Sequence, residues 1–471
     1  MSKNPIEYRS KIYNRNDTSL VDKDYQFIVS GAGNMFKRIP IDKTDIIPPT
    51  ALHKLDPSID TTDLVDIWCC ITVTYYITKH NIYSSYVSSV SDTESNRSLL
   101  MNLGRYITNI KTDSFEKIVL PNNIVISPTS YVKKIASGIS HSIILMNNNR
   151  MLIFGDNTYG QLGEKKIIRQ IIEPKLINTN QFDGKIIDIV CGNYHTLILT
   201  DKGTVFATGR DNLSQIALGS YSLGPLPDHL DLSGNDDENI NKLMQYLARD
   251  DVFEFTKLDI DDKIVKIAAN NNSFFLAESG VLYGTGIYCL GYNKIQPVEL
   301  FYDTKMSVSD IWCTPTSVFT ILRNGDIYMA GDNTNGNMFT QLNQNNGNIV
   351  YLSFVKNDYL SQKGICRIIG SPYASIAIDS NNKDIYISGT DRRKFFSDED
   401  TVTVSGKKNL YLSSIAQKNS DYDMNIQNGA LSCSVTFKAK DGYTRDICYM
   451  VCNLYESIFS DKNSFSDIIF A

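Results

Sequence analysis

The 471-residue sequence lacks several features that would place a protein in a functional class directly. No apolar stretch opens the chain, so a secretory signal peptide is not expected. The longest apolar run, IWCCITVTYYIT at residues 67–78, is too short and too rich in threonine and tyrosine to predict a membrane span. The nine cysteines are odd in number and form no CxxC zinc pattern. Reduced thiols, and with them an intracellular location in the cytoplasm or nucleus, are therefore predicted.

An excess of positive charge is also absent. The chain has 46 Lys and Arg against 52 Asp and Glu, a formal net charge of -6, whereas nucleic-acid-binding chains usually carry a basic footprint. Nucleic acid is therefore not the predicted partner. No nucleophile–base pair, metal-ligand set or cofactor motif emerges, so no catalytic, metal-binding or cofactor-binding residue is predicted. The protein is expected not to be an enzyme and to need no cofactor.

The sequence does contain a repeated unit. Clear copies begin at Val132, Ile186, Ile264, Val308 and Ile365, an earlier copy begins at Val65, and a weaker one begins at Cys433. Each clear copy has an isoleucine, a small residue two positions later, an alternating apolar strand, a turn with Asn, Asp or Gly, and a second strand. The isoleucines are Ile67, Ile135, Ile189, Ile267, Ile311 and Ile368. Strand, tight turn and strand predict a β-hairpin, and repeats of this size predict a propeller or a solenoid.

The second strand of most copies ends at a glycine. The positions are Gly155, Gly209, Gly286, Gly331 and Gly389. Because glycine adopts positive φ without steric cost, the recurrence indicates a strand terminator. A phosphate-binding loop occurs once and precedes a helix, so the glycine corner after residues 150–154 is not interpreted as one.

The composite pattern I-x-x-G-x-x-H followed by G-x-N-x-x-G-Q-L-G is clearest at residues 135–163 and 189–209. It resembles the regulator of chromosome condensation repeat family. The resemblance implies an all-β fold, a seven-bladed β-propeller of about four antiparallel strands per blade. A strand near residues 25–34 would close the ring. The G-x-x-H positions are Gly138, His141, Gly192 and His195, and these histidines are interpreted as structural, bonding backbone between blades.

Two insertions interrupt the repeats. With an N-terminal arm at residues 1–23 and a propeller at 24–471, the insertions lie near residues 87–128 and 217–262. Residues 231–263 contain ten acidic and four basic residues, and a short amphipathic helix is predicted there. The insertion either binds a basic partner or covers the propeller flank. The candidate partner-binding residues are Asp236, Asp237, Glu238, Leu243, Tyr246, Leu247 and, in a repeat loop, Tyr194.

The predicted function is a non-enzymatic protein-binding propeller or scaffold, because propeller loops form recognition surfaces on a rigid framework. The family resemblance supplies an alternative, a guanine-nucleotide exchange factor for a Ran- or Rab-like small GTPase. Its founding member uses aspartates beside the G-x-x-H positions, and residues 138–141 and 192–195 contain none. A second alternative is a structural or virion protein of a large DNA virus, since abundant Asn, Ile, Lys and Tyr are typical of A+T-rich genomes.

Overall fold

The computed structural model describes residues 27–32, 46–51, 64–70, 73–86, 103–104, 116–220, 250–340, 350–361, 363–370, 374–379, 384–390, 403–408, 422–428, 432–439 and 448–450. Within these ranges, the strands form six four-stranded sheets and one five-stranded sheet. Every pair in the four-stranded sheets is antiparallel. The repeats therefore build a β-propeller of four-stranded antiparallel blades.

Each four-stranded blade uses four consecutive strands, in chain order from its inner to its outer edge. Blade 1 comprises β3 (Leu64–Cys69), β4 (Val73–Thr78), β5 (Ile82–Tyr86) and β6 (Glu116–Lys117). Blade 2 comprises β7 (Val132–Ser137), β8 (His141–Met146), β9 (Met151–Asp156) and β10 (Gln170–Ile177). Blade 3 comprises β11 (Ile186–Cys191), β12 (His195–Thr200), β13 (Val205–Gly209) and β14 (Val252–Lys257).

The next three blades repeat this order. Blade 4 comprises β15 (Ile264–Ala269), β16 (Ser273–Ala277), β17 (Leu282–Gly286) and β18 (Tyr292–Pro297). Blade 5 comprises β19 (Val308–Cys313), β20 (Ser317–Leu322), β21 (Ile327–Asp332) and β22 (Val350–Lys356). Blade 6 comprises β23 (Ile365–Gly370), β24 (Ala374–Asp379), β25 (Ile385–Thr390) and β26 (Thr403–Lys408).

The remaining sheet differs from the other six. Its strands are β1 (Phe27–Ala32), β2 (Ile46–Ala51), β27 (Tyr422–Asn428), β28 (Ser432–Ala439) and β29 (Cys448–Met450), in the order β2-β1-β29-β28-β27. β1 runs parallel to β29 and antiparallel to β2 and β28. The prediction of seven four-stranded antiparallel blades is confirmed for six sheets and wrong for this one. The N-terminal strands add to it, which gives five strands and a parallel pair.

Short helices connect the strands of blades 4 to 6. They are α1 (Ile287–Leu290), α2 (Glu299–Asp303) and α3 (Asp358–Ser361), and a 3-10 turn lies at Thr179–Gln181. The two ranges assigned to insertions include regular strands: β6 falls within residues 87–128 and β14 within residues 217–262. The excursion from blade 3 is therefore shorter than the assigned range, since β14 is the outer strand of that blade.

The hydrophobic cores lie between adjacent blades. Successive side chains of a strand point to opposite faces, so each blade packs one face against each neighbour. The core between blades 1 and 2 joins Tyr75 to Phe154, and the next joins Ile153 to Ile189 and Phe206. The repeated isoleucines are at most 3% exposed, which explains their recurrence.

Charged residues precede these isoleucines and alternate in sign from blade 1 to blade 6. In blade order they are Asp66, Lys134, Asp188, Lys266, Asp310 and Arg367, which we call the charge column. The Lys134 Nζ lies 2.5 Å from Asp188 Oδ1, and Lys266 pairs with Asp310 in the same way. Each pair joins the inner strands of two neighbouring blades. By strand register, Asn425 of β27 occupies the corresponding position in the five-stranded sheet.

A β-bulge precedes each charged position. The pairing between the first and second strands shifts by one residue in blade 3, between Ile186 and Asp188, and equivalent shifts recur in the other five blades. The Asp188 carboxylate accepts the N–H of Ile189 at 2.9 Å, and Asp310 accepts that of Ile311 at 2.7 Å. The aspartates thus satisfy a backbone donor beside the bulge while pairing with a lysine.

Candidate functional site

Two sets of loops lie at one end of the propeller. Because neighbouring strands are antiparallel, the loop between the first and second strands and that between the third and fourth emerge at the same end. We call this end the corner face. The first-to-second loops form a hydrogen-bonded series across blades 2, 3 and 4. Ile139 N–H donates to Asn193 O at 3.2 Å, and Asn193 N–H donates to Asn270 O at 3.0 Å.

The G-x-x-H motif has a steric explanation. A Cβ added to Gly138 would overlap Cε1 of His141, and one added to Gly192 would overlap Cε1 of His195. The imidazole lies directly over the glycine in both blades. Glycine is required there because a larger residue would expel the ring from its site.

Both histidines are buried and bridge neighbouring blades. His141 Nε2 lies 3.2 Å from Thr196 Oγ1, and His195 Nε2 lies 2.9 Å from Ser273 Oγ. These hydroxyls donate to backbone carbonyls, Thr196 to Gln161 O at 2.7 Å, so each hydroxyl oxygen accepts a hydrogen bond from the imidazole Nε2–H. Each imidazole therefore contacts a hydroxyl of the next blade, and the backbone of His195 also hydrogen-bonds to His141.

Burial keeps these histidines neutral. It lowers the pKa of both His141 and His195 to about 3, and the nearby His141 contributes to the lowering of the pKa of His195. Burial also raises the pKa of the Cys191 thiol to about 12. A neutral imidazole and a protonated thiol are poor catalytic bases and nucleophiles at neutral pH. Their positions support packing roles.

The glycine corner is a site of close backbone approach. Gly155 has a φ of 112° and Gly209 one of 119°. A Cβ on Gly155 would lie 2.5 Å from Ser140 O, and one on Gly209 would lie 2.6 Å from Tyr194 O. Positive φ values also occur at Gly286, Gly331 and Gly389. The glycine is therefore the last or penultimate residue of its strand, and it lets the two loops of one blade touch.

The blade 2 corner closes on itself. Asp156 accepts hydrogen bonds from Thr158 N at 2.9 Å and Gln161 Nε2 at 3.0 Å. Asn157 donates from Nδ2 to the carbonyls of Glu164 and Ile168 and accepts from a backbone N–H with Oδ1. Asp156 and Asn157 are both buried, and their polar groups form hydrogen bonds within blade 2.

The blade 3 corner presents its side chain to the surface instead. Arg210 occupies the position of Asp156, and its guanidinium carbon lies 4.7 Å from the ring centroid of Tyr159 and 5.4 Å from that of Tyr194. The two tyrosine rings meet edge to face at 5.4 Å. All three side chains are half-buried. We call this group the Tyr–Arg platform.

The residue after Arg210 fixes the base of the blade 3 excursion. The buried Asp211 carboxylate accepts N–H groups from Ile216, Ala217, Leu218 and Gly219 at 2.7–2.9 Å. Burial raises the pKa of Asp211 despite these four donors. A carboxylate is needed because all four partners are donors.

The two ends of the excursion meet in a stem. Asp250 N–H donates to Ser220 O at 2.9 Å, and Asp251 accepts the N–H of Asp211 at 3.3 Å. Burial raises the pKa of Asp251, and the nearby charge of Arg210 offsets only part of this increase. The stem therefore emerges beside the Tyr–Arg platform.

Among the predicted partner-binding residues, Tyr194 is part of the platform. Asp236, Asp237, Glu238, Leu243, Tyr246 and Leu247 lie outside the described residues. Tyr159 and Arg210 were missed, although the sequence held a signal for Arg210. It stands where two other copies have aspartate, Asp156 and Asp332, so the charge is reversed at one repeat position.

No group of three or more potential metal ligands occurs in the part of the chain that the structure describes. None of the helices described is long and apolar enough to cross a membrane.

Comparison with known proteins locates the repeat in blades 2 and 3. The regulator of chromosome condensation (RCC1) repeat matches residues 132–161 and 186–215, and a second form of it matches residues 148–199. An RCC1 repeat-containing protein of Dictyostelium discoideum is 33% identical over 167 residues, which cover 35% of this chain and 30% of the relative. The human RCC1-like G exchanging factor-like protein is 30% identical over 132 residues, 26% of this chain and 28% of the relative. The matches thus span less than a third of either relative.

The fold has a counterpart among solved structures. Prp20p of Saccharomyces cerevisiae, a protein studied for its binding to Gsp1p and histones, superposes with a TM-score of 0.57 at 16% identity. The superposition covers 96% of this chain and 95% of Prp20p. At this identity the similarity concerns the fold alone. Residues 132–215 of this protein therefore match the regulator of chromosome condensation repeat, and they form blades 2 and 3 of a β-propeller with four-stranded blades.

Proposed function

We propose that the protein is a non-enzymatic protein-binding propeller that contacts its partner through the corner face, at the Tyr–Arg platform. Tyrosine and arginine are enriched at interface centres, since they combine a large contact area with polar ends. The platform is held between two blades and flanked by the stem, so little conformational entropy is lost when a partner binds. The half-buried cluster of Tyr159, Tyr194 and Arg210 is the observation that carries the proposal.

The blade 3 excursion belongs to the same proposed surface. Its residues Asp236, Asp237, Glu238, Leu243, Tyr246 and Leu247 supply acidic and apolar contacts in this proposal. The support is the stem, where Ser220 and Asp250 anchor the excursion beside Arg210.

A closed ring provides the rigid framework for this face. In the proposal, the five-stranded sheet acts as the seventh blade, residues 24–471 form the propeller and residues 1–23 form an arm. Contacts of β27 with β23 of blade 6, and of β27 and β28 with β3 of blade 1, support this arrangement. Closure protects strand edges that would otherwise be free to aggregate.

A guanine-nucleotide exchange factor is the second candidate. The human relative named as an exchanging factor-like protein favours it, as does an excursion on the loop face of the blades. The absence of aspartate from residues 138–141 and 192–195 weighs against it. In this candidate the partner is a small GTPase, and the excursion displaces its nucleotide.

Site-specific crosslinking tests the binding surface. A photo-crosslinking benzoylphenylalanine replaces Tyr194 in one variant and Lys202, in the β12–β13 hairpin at the opposite end of blade 3, in another. We expect a discrete protein adduct from position 194 and none from position 202. The adduct should disappear when Tyr159→Ala and Arg210→Ala are added and melting temperature is unchanged. Equal crosslinking from both positions would overturn the proposal.

A nucleotide-release assay separates the two candidates. Small GTPases of the Ran and Rab classes, loaded with a fluorescent GDP, are mixed with the full chain. A binding propeller leaves the release rate unchanged. Release accelerated by about tenfold or more, and lost in Arg210→Ala, would establish the exchange factor instead.

A further inference from the structure

The loop that follows the blade 2 corner ends in an exposed tip beside the Tyr–Arg platform. Ile168 N–H donates to Lys165 O at 2.8 Å, which closes a turn. The buried Asn157 holds that turn from below, since its Nδ2 donates to Ile168 O at 2.6 Å. Ile167 is nevertheless 88% exposed, more than any other large hydrophobic residue in the described ranges. A fixed turn therefore presents an isoleucine to solvent.

Basic residues surround this isoleucine. Lys165, Lys166 and Arg169 are all exposed, and none of them forms an ion pair with another described residue. The neighbouring Glu164 is already paired with Lys175 at 2.5 Å. Lys166 also interacts electrostatically with Asp251 of the stem, so part of the positive charge of the tip is compensated and the rest is available to a second molecule, in a protein whose net charge is negative.

The tip is continuous with the platform. Lys166 Nζ lies 5.7 Å from the ring centroid of Phe253, which follows the stem residues Asp250 and Asp251. A Cβ on Gly163 would overlap the ring of Phe255, so the loop and β14 are in close contact. One surface is therefore formed by Ile167, the basic residues Lys165, Lys166 and Arg169, and the Tyr–Arg platform. We call this surface the basic ridge.

We propose that the basic ridge binds an acidic segment of a partner protein that carries apolar side chains. Opposite charges steer such a segment to the ridge and fix its orientation. Ile167 then packs on an apolar side chain, while Lys165, Lys166 and Arg169 pair with carboxylates. The inference rests on the proposed function and specifies the chemistry of the partner.

Binding of a synthetic peptide tests the assignment. The probe is a fluorescein-labelled twelve-residue peptide of Asp, Glu, Leu and Phe, measured by anisotropy at 50 and 300 mM salt with the full chain. We expect affinity to fall about tenfold in Lys165→Glu/Lys166→Glu/Arg169→Glu and about threefold in Ile167→Ser. Higher salt should weaken the wild type more than the triple variant, because screening acts on the lost contacts.

The matched control changes three exposed lysines away from the ridge, as Lys185→Glu/Lys202→Glu/Lys294→Glu. Its affinity should stay within about twofold of wild type. Equal weakening by the control would overturn the assignment, since net charge alone would then explain the result. Equal binding of a peptide with lysine in place of every Asp and Glu would also overturn it, since the ridge would then not select acidic residues.

Two further variants separate the outcomes. Replacing residues 221–249 by a short Gly/Ser loop is feasible because Ser220 and Asp250 are hydrogen-bonded. A rise of about fivefold or more in peptide affinity would show that the protein's own excursion occupies the ridge, which overturns binding to a separate partner. If the ridge triple variant still crosslinks its partner from position 194 while Tyr159→Ala/Arg210→Ala does not, the acidic assignment fails and the proposed function stands.

Discussion

The corners of blades 2 and 3 follow almost the same backbone path. The blade 2 corner hydrogen-bonds to itself, whereas the blade 3 corner presents a side chain to the surface. Ser214 and Ala217 adopt φ values of 55° and 53°, where the blade 2 corner has Gly160 and Gly163 at 82° and 70°. In both corners a glutamine oxygen accepts a backbone N–H two residues earlier, at 2.9 and 2.8 Å. The loop path is therefore shared even where the residues differ.

The difference lies in two adjacent positions. Asp156 and Asn157 close the blade 2 corner, whereas Arg210 and Asp211 open the blade 3 corner toward the surface and anchor an excursion. A repeat fold thus keeps the positions that hold blades together and varies positions whose side chains face outward. Functional residues in such a fold are best sought at repeat positions where one copy has a residue of different chemistry from the other copies.

The largest expected effect comes from exchanging the second corner residue. Asp211→Asn places an amide NH₂ against backbone donors, and Asn157→Asp places a carboxylate against the carbonyls of Glu164 and Ile168. Each variant should lose about 3 kcal/mol of unfolding free energy, because a buried polar group loses its partner and faces a like one. Urea unfolding monitored by tryptophan fluorescence measures the loss. A change below about 0.5 kcal/mol in both would show that the corners are interchangeable.

The histidines shared by the two blades predict a pH dependence. Their folded pKa of about 3 lies below the unfolded value of 6.5, so the unfolded chain binds more protons as the pH falls. Stability is therefore full above pH 6.5 and declines below it, by about 2 kcal/mol per histidine at pH 5. His195→Gln should remove about half of that decline. His80→Gln, at an exposed position, is the control and should leave the decline unchanged.

Charge reversal tests whether neighbouring blades are coupled through the charge column. Lys134→Asp should destabilise the protein by about 1 kcal/mol, since the side chains of Lys134 and Asp188 are about 30% exposed and partly screened. Adding Asp188→Lys should restore only part of the loss, because the reversed pair faces Asp66 and Lys266 with like charges and no longer accepts the N–H of Ile189. Thermal melts of the two single variants and the double variant give the coupling energy. Strictly additive losses would contradict electrostatic pairing between these blades.

The smallest predicted effect comes from a backbone position that the two corners share, Ala217 in blade 3 and Gly163 in blade 2. Ala217→Gly should stabilise the protein by about 0.5 kcal/mol, because it relieves a left-handed conformation at a non-glycine residue. Gly163→Ala should destabilise it by more, since the added Cβ would overlap Phe255. Differential scanning calorimetry compares the two. A loss of stability in Ala217→Gly would mean that the φ of this residue carries no strain.

The six blades could be predicted because hairpin signals are local. The buried isoleucine, the turn and the terminal glycine lie within one copy, and their periodicity repeats. The five-stranded sheet was harder to predict because β1 and β29 come from opposite ends of the sequence and pair in parallel. No local pattern encodes a pairing at that separation. β14 was hidden for a related reason, since the excursion separates it from the rest of blade 3.

The site was only partly predictable. Tyr194 could be selected from its loop, but its contact with Tyr159 joins blade 3 to blade 2, and its contact with Arg210 joins two separate loops of blade 3. Histidine partners followed the same rule: His141 was identified as a bridge between blades, while the hydroxyl of Thr196 could be found only in three dimensions. The alternation in the charge column is present in the sequence, one position before each repeated isoleucine, whereas the pairing of Lys134 with Asp188 depends on contacts between two copies.

The charge column also constrains how this propeller can gain blades. The charges alternate in sign from Asp66 of blade 1 to Arg367 of blade 6, and the uncharged Asn425 occupies the corresponding position of the five-stranded sheet. Duplicating one blade would set two lysines or two aspartates side by side on adjacent inner strands, which is unfavourable. Duplicating two adjacent blades would preserve every neighbour relation. Duplication of two adjacent blades therefore keeps the alternation of the charge column, whereas duplication of one blade disrupts it.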